Sequence, residues 1–332
     1  MRVGNLELSA RSVNAPQRPG RVGLDTPSPF DLDRAVRSHG FYDLAPWSFV
    51  PDRRLLSRPL ALRGGRVVRA EVAPRAEPGG GLALRVGAQG RLSARESAEA
   101  RALVRTCLAL DEDLAPFHAR IRELEAAPPG RHPLPRLAWA AERGAGRLLR
   151  SPTVFEDAVK TLCTTNCTWA LTRVMVTNLV EKLGDPVPGS GRTFPAAAAL
   201  ADRPERFFRD EIRAGYRAGA LRAIAREVAS GRLDMEAWRA SPLSTDDLGE
   251  RIRELPGFGP YASEHLLRLL GRYDHLALDS WVRPKLARLR GRRRIPTDRA
   301  MRGWYAPYGP WAGLALWLAV TADWHGLAPS WP

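Results

Sequence analysis

A glycine-rich turn between two helical patterns constrains the fold of this chain more than any other feature. The segment 244–283 has the pattern of one helix, the turn LPGFG and a second helix. Gly257 and Gly259 flank one apolar residue, Phe258, which predicts a tight turn with positive φ values at the glycines. Pro260 suits the first turn of the second helix. The pattern predicts a helical hairpin whose backbone N–H groups cradle an anion, with a plain helix connection as the alternative.

The charge balance of the chain is strongly basic. A net charge of +15 and an isoelectric point near 10.8 indicate a polyanionic partner, because neutralising phosphates releases condensed counterions. Only Lys160, Lys182 and Lys285 are lysine among the 51 basic residues, so the arginine bias of a GC-rich genome is the alternative explanation. Together with the anion cradle, the charge favours nucleic acid as the partner.

Two kinds of hydrophobic pattern divide the chain. Residues 1–27 lack periodicity and are expected to form a flexible tail. Three apolar stretches between residues 55 and 86, separated by glycine pairs, predict antiparallel strands, and two helices follow them. Residues 127–332 have a mainly helical pattern. The sequence therefore predicts an α+β fold, with a strand-rich antiparallel-sheet domain over 28–126 and a helical domain over 127–332.

Cysteine content and hydropathy exclude several classes of protein. Cys163 and Cys167 lie four residues apart, with Cys107 as the one other cysteine and no nearby histidine, so we expect neither a zinc nor an iron–sulfur site. We expect buried thiols in a reducing compartment. No apolar run reaches the length of a membrane span, and the N-terminus lacks an apolar signal segment. These features predict a cytoplasmic, nucleoid-associated bacterial protein.

Several segments resemble the helix–hairpin–helix superfamily of DNA base-excision glycosylases. The turn 255–259 followed by Asp279 is similar to the hairpin and catalytic aspartate of that superfamily. Residues 155–168 (FEDAVKTLCTTNCT) resemble the helix and turn that enter the minor groove. The segment 215–218 resembles a turn of the 8-oxoguanine glycosylase branch, and 307–317 resembles the last helix of the 3-methyladenine DNA glycosylase II branch.

The resemblance covers residues 28–325 and implies that a TATA-binding-protein-like domain precedes the glycosylase domain. It assigns Asp279 as the catalytic carboxylate, which stabilises positive charge at C1′ while the N-glycosidic bond breaks. Capping of the following helix is the alternative role for Asp279, and the two roles are compatible. Tyr261 stands where bifunctional members carry a Schiff-base lysine, which implies excision by water without AP-lyase activity.

Base excision requires a wedge residue, which fills the gap that the flipped base leaves in the DNA base stack, and a pocket that holds the flipped base. The resemblance implies Asn166 as the wedge, Tyr216 as a second intercalator, and Arg217 as a ligand of the opposite base or its phosphate. Local capping and packing are the alternative roles. The predicted base pocket is lined by aromatic side chains, which provide stacking faces. Trp311 and Trp317 are instead expected in the hydrophobic core. The predicted pocket residues are Tyr261, His265, Tyr308, Trp281 and Trp169.

The predicted grip on DNA combines the hairpin with a basic segment. Gly257, Phe258 and Gly259 are expected at one phosphate, with a Na⁺ or K⁺ on the backbone carbonyls of Leu255 and Gly257 and no other cofactor. The basic segment contains no acid, and it either follows the DNA backbone or forms a solvated face. Its charged residues are Arg283, Lys285, Arg288, Arg290, Arg292, Arg293 and Arg294.

The sequence predicts a monomeric, monofunctional glycosylase that removes a damaged purine, preferably an alkylated one, from double-stranded DNA in base-excision repair. An oxidised-purine glycosylase is the second hypothesis. Asn166 favours it, whereas Leu171 replaces an arginine that reads the opposite cytosine in the 8-oxoguanine branch. A non-catalytic damaged-DNA-binding protein and a structural or RNA-binding protein are further alternatives.

Overall fold

The structure is a computed structural model that describes residues 20–75, 81–127, 135–187 and 191–327. It is a mixed α+β fold in which one five-stranded antiparallel sheet precedes many helices. The strand order is β1-β5-β4-β3-β2, and every neighbouring pair is antiparallel. The strands are β1 (Gly20–Leu24), β2 (Ser48–Val50), β3 (Leu55–Ala61), β4 (Val67–Pro74) and β5 (Leu82–Gly87).

Apolar patterning explains why three of these strands were predicted: β4 and β5 alternate in burial, and β3 is buried along most of its length. In β5, Leu82, Leu84 and Val86 are buried while the residues between them are half-buried, as the two-residue period of a strand requires. This face packs against helical residues such as Val36 and Val104 in one hydrophobic cluster. The predicted strands β3, β4 and β5 and the α+β class are therefore confirmed.

Strand β1 corrects the prediction of a flexible tail over residues 1–27. Residues 1–19 lie outside the described residues, but residues 20–24 pair with β5, and Leu24 is buried in the sheet cluster. The sequence pattern does not indicate this strand, because the strand is only five residues long and contains two glycines. Strand β1 is held in place by its pairing with β5, and the local sequence pattern gives no sign of that pairing.

Fourteen α-helices occur in the described residues, and short 3₁₀ turns connect some of them. None of these helices is both long and apolar enough to cross a membrane. Their ranges are α1 (Leu32–Arg37), α2 (Ala94–Cys107), α3 (Ala115–Ala126), α4 (Ala138–Arg143), α5 (Val154–Thr164), α6 (Trp169–Leu183), α7 (Ala197–Ala201), α8 (Glu205–Asp210), α9 (Ala218–Ala229), α10 (Thr245–Arg253), α11 (Pro260–Leu269), α12 (Val282–Leu289), α13 (Asp298–Tyr305) and α14 (Ala312–Val320).

The helices bury two further hydrophobic clusters. One cluster contains residues of α5, α6, α9, α10 and α11, and the other contains residues of α3, α4, α12, α13 and α14. Helix α11 belongs to the first cluster and α12 to the second, so the segment between them, which carries Asp279, passes from one cluster to the other.

A buried ionic cluster attaches the sheet to the helices. Arg58 of β3 contacts the Glu156 carboxylate at 2.9 Å, and Lys160 contacts the same carboxylate at 2.6 Å. All three side chains are at most 3% exposed. Because an unpaired buried charge is costly, each cation depends on Glu156, and the sheet is thereby fixed to α5.

Candidate active site

A tight turn joins α10 to α11 at the position of the predicted hairpin. The Phe258 N–H donates to the Leu255 carbonyl at 3.1 Å, and the Phe258 ring is buried in the helical core. Gly257 has φ +81°, and a Cβ there would lie 2.7 Å from Cδ1 of Leu162. Both the backbone conformation and the contact with α5 therefore require glycine at position 257.

Gly259 serves a different purpose from Gly257. Its φ is −86°, so the prediction of a positive φ at this glycine was wrong. A Cβ at Gly259 would meet no atom within 4 Å. Gly259 is the N-cap of α11 and supplies no side-chain acceptor, which leaves the first N–H groups of that helix to an outside acceptor. The open surface and these donors suit an anion.

Asp279 lines a cleft of about 990 Å³ beside the hairpin. Its Oδ1 accepts hydrogen bonds from the backbone N–H groups of Trp281, at 2.9 Å, and of Val282. The carboxylate thus caps α12, while Oδ2 accepts no hydrogen bond from any described residue. The side chain is half-buried. One oxygen is therefore held by the helix, and the other is available to chemistry in the cleft.

Helix α11 positions the segment that carries Asp279. The Glu264 carboxylate accepts the Ala277 N–H at 2.7 Å, and the Arg268 guanidinium donates to the Leu276 carbonyl at 2.9 Å. Ala277 has φ +49°, a conformation that costs a non-glycine residue energy and persists only when its surroundings hold it. These two side chains, one helical turn apart, fix the backbone immediately before Asp279.

Two histidines meet in the wall of the cleft. Nε2 of His39 lies 3.0 Å from Nε2 of His265, and both rings are buried. Burial, followed by the charge of Arg268, lowers the pKa of His265 to about 3. Burial also holds the pKa of His39 well below its ordinary value. At neutral pH the pair is therefore uncharged, with one ring donating and the other accepting.

Aromatic rings complete the cleft. Tyr261 lies 5.6 Å from His265 between ring centroids. Trp281 is 40% exposed and lies 6.1 Å from the ring of Trp317. Trp169, 39% exposed, donates its indole N–H to an Asp43 carboxylate oxygen at 2.9 Å. Four of the five predicted pocket residues thus line one cleft with Asp279, which gives a flat base several stacking faces.

The fold has close counterparts among solved structures. It matches a 3-methyladenine DNA-glycosylase from Archaeoglobus fulgidus with a TM-score of 0.67 and 19% identity, over 91% of this chain and 98% of that chain. It matches MBOgg1, solved with a low-affinity DNA ligand, with a TM-score of 0.67 and 18% identity, over 95% and 99% of the two chains. The Clostridium acetobutylicum 8-oxoguanine glycosylase/lyase matches with a TM-score of 0.57 and 16% identity, over 85% and 93%.

The chain has the fold of these DNA glycosylases. No family model matches the sequence, and no curated protein matches it either. At these identities the likeness establishes the fold alone.

The predicted wedge residues lie on two turns that touch. Asn166 is exposed in the turn between α5 and α6, has φ +44° and lines the cleft. Its side-chain amide donates to the Tyr216 hydroxyl at 3.3 Å, and Tyr216 is 66% exposed. Arg217 is 3% exposed and donates to the Thr165 hydroxyl at 3.2 Å, below the Tyr216 ring. The prediction that Arg217 contacts DNA was therefore wrong, because its guanidinium supports the wedge from inside the protein.

The fold separates Tyr308 from the cleft and brings Trp317 to the edge of the cleft. Tyr308 does not line the cleft but is buried, with its hydroxyl 3.4 Å from the Pro135 carbonyl and its ring 6.2 Å from that of Tyr305. Its assignment to the base pocket was wrong. Trp317 is 7% exposed in the second helical cluster, so its predicted core position is confirmed. It also borders the cleft, and its indole N–H donates to the Ser38 carbonyl at 2.7 Å.

Two basic residues of the predicted grip are held in ion pairs. Arg283 donates to both carboxylate oxygens of Asp298, at 2.8 and 2.7 Å. Lys285 lies 2.9 Å from both oxygens of Asp323. Both line the cleft, but their charges are already balanced. The exposed basic side chains of this segment are instead Arg288, Arg292, Arg293 and Arg294.

Sequence reasoning missed several residues of the cleft wall, including His39, Phe41 and Arg268. His39 and Phe41 come from a segment far from the hairpin in sequence, so no local pattern connects them to it. Arg268 did leave a signal. It follows Tyr261 and His265 at the spacing of one helix face, the same face that carries the pocket rings.

Proposed function

We propose that this chain is a monofunctional DNA glycosylase that binds duplex DNA, flips a damaged purine into the cleft and hydrolyses its N-glycosidic bond. The observation that carries the proposal is the arrangement of Asp279. One carboxylate oxygen caps α12 while the other is available in a cleft of aromatic rings beside an anion-binding turn. The likeness to DNA glycosylases of known structure supports the same activity.

The chemistry follows from the charge of Asp279. Departure of the base leaves positive charge on C1′, and a fixed carboxylate stabilises that charge without having to reorganise. The Oδ2 atom is the oxygen that serves this role, because Oδ1 is occupied by backbone N–H groups. The same oxygen can accept a hydrogen bond from the attacking water.

The grip on DNA consists of the hairpin, the wedge and the basic segment. The free backbone N–H groups at the N-terminus of α11, beside Gly259, take one phosphate in a helix–hairpin–helix motif. A Na⁺ or K⁺ on the carbonyls of Leu255 and Gly257 would assist, since the Leu255 oxygen has a second lone pair beside its bond from Phe258. As part of this proposal, the five-stranded sheet belongs to a TATA-binding-protein-like domain that precedes the glycosylase domain, with the boundary near residue 127.

Lysine chemistry argues against a lyase step. Tyr261 takes the place of a Schiff-base lysine, and Lys160 is buried against Glu156. Lys285 lines the cleft, but its Nζ is held in a salt bridge with Asp323. A nitrogen held in this way is not placed to attack C1′. We therefore propose that water, and not an amine, attacks C1′.

Two classes of lesion fit the proposal. The resemblance of residues 307–317 favours an alkylated purine, and Trp281 and Trp169 offer the aromatic faces that such bases use. Asn166, exposed on its turn and lining the cleft, favours an oxidised purine.

The test is excision from end-labelled duplexes that carry 8-oxoguanine, 1,N6-ethenoadenine, hypoxanthine, uracil or an alkylated purine, each with and without alkali. Strand cleavage only after alkali is the expected result. An undamaged duplex is the control, and borohydride should trap no covalent complex. Tight binding to every lesion without any excision would replace the proposal with a non-catalytic damage-binding function.

A further inference from the structure

A buried arginine forms part of the wall of the base cleft. Arg268 is 2% exposed and lies on the face of α11 that also carries Tyr261 and His265. Its guanidinium lies 4.6 Å from the ring centroid of Trp317. One Nη atom donates to the Leu276 carbonyl, whereas Nε is buried without a hydrogen-bond partner. A buried donor without a partner is costly unless a ligand or water satisfies it.

The charge of Arg268 is not balanced by an ion pair. Burial lowers the pKa of Arg268 to about 10, so the guanidinium is still a cation at neutral pH. Among the described residues, Arg283 and Lys285 have carboxylate partners in ion pairs, whereas Arg268 has none. The carboxylates of Asp279 and Glu264 both act on this charge, but other groups already engage them. Asp279 accepts two backbone N–H groups at the start of α12, and Glu264 accepts the Ala277 N–H and pairs with Arg302.

The histidines and aromatic rings around Arg268 add donors and stacking faces but no negative charge. His39 and His265 are neutral, and Nδ1 of His39 is also buried without a partner. The rings of Tyr261 and Trp317 offer stacking faces. One face of Trp317 is already covered by the Arg268 guanidinium, so a cationic base cannot use that face for a cation–π contact.

We infer that Arg268 makes the cleft select neutral bases that present a carbonyl oxygen, and makes it reject purinium cations such as 7-methylguanine. This inference rests on the glycosylase function proposed above and decides between its two lesion classes. A carbonyl oxygen accepts from the guanidinium through a charge-assisted hydrogen bond. A cationic base instead meets a fixed positive charge where water is excluded and repulsion is only weakly screened.

The most informative substrates are two duplexes of identical sequence, one with 8-oxoguanine and the other with 7-methylguanine at the same position. Both lesions are guanines with the same Watson–Crick edge, and they differ in the five-membered ring and in charge. Hypoxanthine serves as a second neutral base that lacks the 8-oxo group. Single-turnover excision rates of the wild type should favour both neutral bases over 7-methylguanine by at least about tenfold. Faster excision of 7-methylguanine would overturn the inference while leaving the glycosylase function intact.

Arg268→Met should lower the ratio of 8-oxoguanine to 7-methylguanine excision by about tenfold or more, and Arg268→Lys should keep most of it. A purely structural role through the Leu276 carbonyl would slow both substrates equally and leave the ratio unchanged. Arg147→Met is the matched control, because Arg147 is a buried arginine that donates to backbone carbonyls outside the cleft. The wild-type ratio tests the inference even if Arg268→Met does not fold. No excision of any base would overturn both proposals.

Discussion

His39 and His265 show how burial sets the charge of single residues in this protein. Their rings lie 3.0 Å apart between Nε2 atoms, and the pair carries no charge at neutral pH because both pKa values are lowered. In the unfolded chain each imidazole has an ordinary pKa near 6.5, so unfolding below that pH takes up protons. The two histidines therefore make the free energy of unfolding decrease as the pH falls.

Stability should fall as the pH drops below about 6.5 toward the folded-state pKa of His265, about 3. The folded pKa is lower than the unfolded one, so the contribution is complete above pH 6.5 and is lost in acid, by about 1.4 kcal/mol per pH unit for each histidine. Urea denaturation at pH 7.5 and pH 5 measures the loss. His265→Gln should reduce this pH dependence by about one proton, and an unchanged dependence would contradict the assignment.

At the scale of elements, the turn between α10 and α11 contains two glycines with different structural roles. Gly257 is required by its φ of +81° and by its contact with Leu162, whereas Gly259 has ordinary dihedral angles and open space around it. The turn thus separates a residue needed for folding from a residue needed only for access to the backbone N–H groups.

Gly257→Ala should destabilise the protein by more than about 1 kcal/mol, because the positive φ and the contact with Leu162 both oppose a Cβ. Gly259→Ala should cost less than about 1 kcal/mol, since only an N-cap preference is lost. It should nevertheless weaken binding to duplex DNA, because the new methyl group occupies the approach of a phosphate. Urea denaturation and fluorescence anisotropy separate the two effects. Equal loss of stability in both variants would contradict this division.

The same elements show what the sequence could and could not predict. Alternating burial made β5 predictable, and the turn between α10 and α11 followed from its glycines and Pro260. Strand β1 depends on pairing with β5, which no local pattern reports. The cleft wall combines His39 with His265 across 226 positions, so its composition depends on tertiary packing. Arg217 and Tyr308 were misassigned for the same reason, because burial decides whether a side chain reaches DNA or the core.

At the scale of the whole molecule, the sheet and the helices are joined through Glu156. Its carboxylate contacts Arg58 of the sheet and Lys160 of α5, and all three groups are buried. Removing the carboxylate would leave two buried cations without an ion-pair partner. The join is therefore stable only while the cluster is complete.

Glu156→Gln should lower the free energy of unfolding by about 3–5 kcal/mol, the cost typical of breaking a buried ion pair. Glu211→Gln is the matched control, since Glu211 pairs with Lys182 at the surface and should matter by less than about 1 kcal/mol. Urea denaturation of both variants makes the comparison. A small effect of Glu156→Gln would show that the cluster does not hold the sheet to the helices.

We propose that Asp279 acts on the sugar while it also caps α12, and Asp279→Asn tests this double role most directly. Asparagine keeps an oxygen that can accept the N–H groups of Trp281 and Val282, so the fold and the cleft should persist. Asp274→Asn, a nearby exposed carboxylate outside the cleft, is the control. Excision of the preferred lesion should fall by about 100- to 1000-fold in Asp279→Asn, with binding to lesion DNA retained. Excision at the wild-type rate by Asp279→Asn would contradict the catalytic role of this carboxylate.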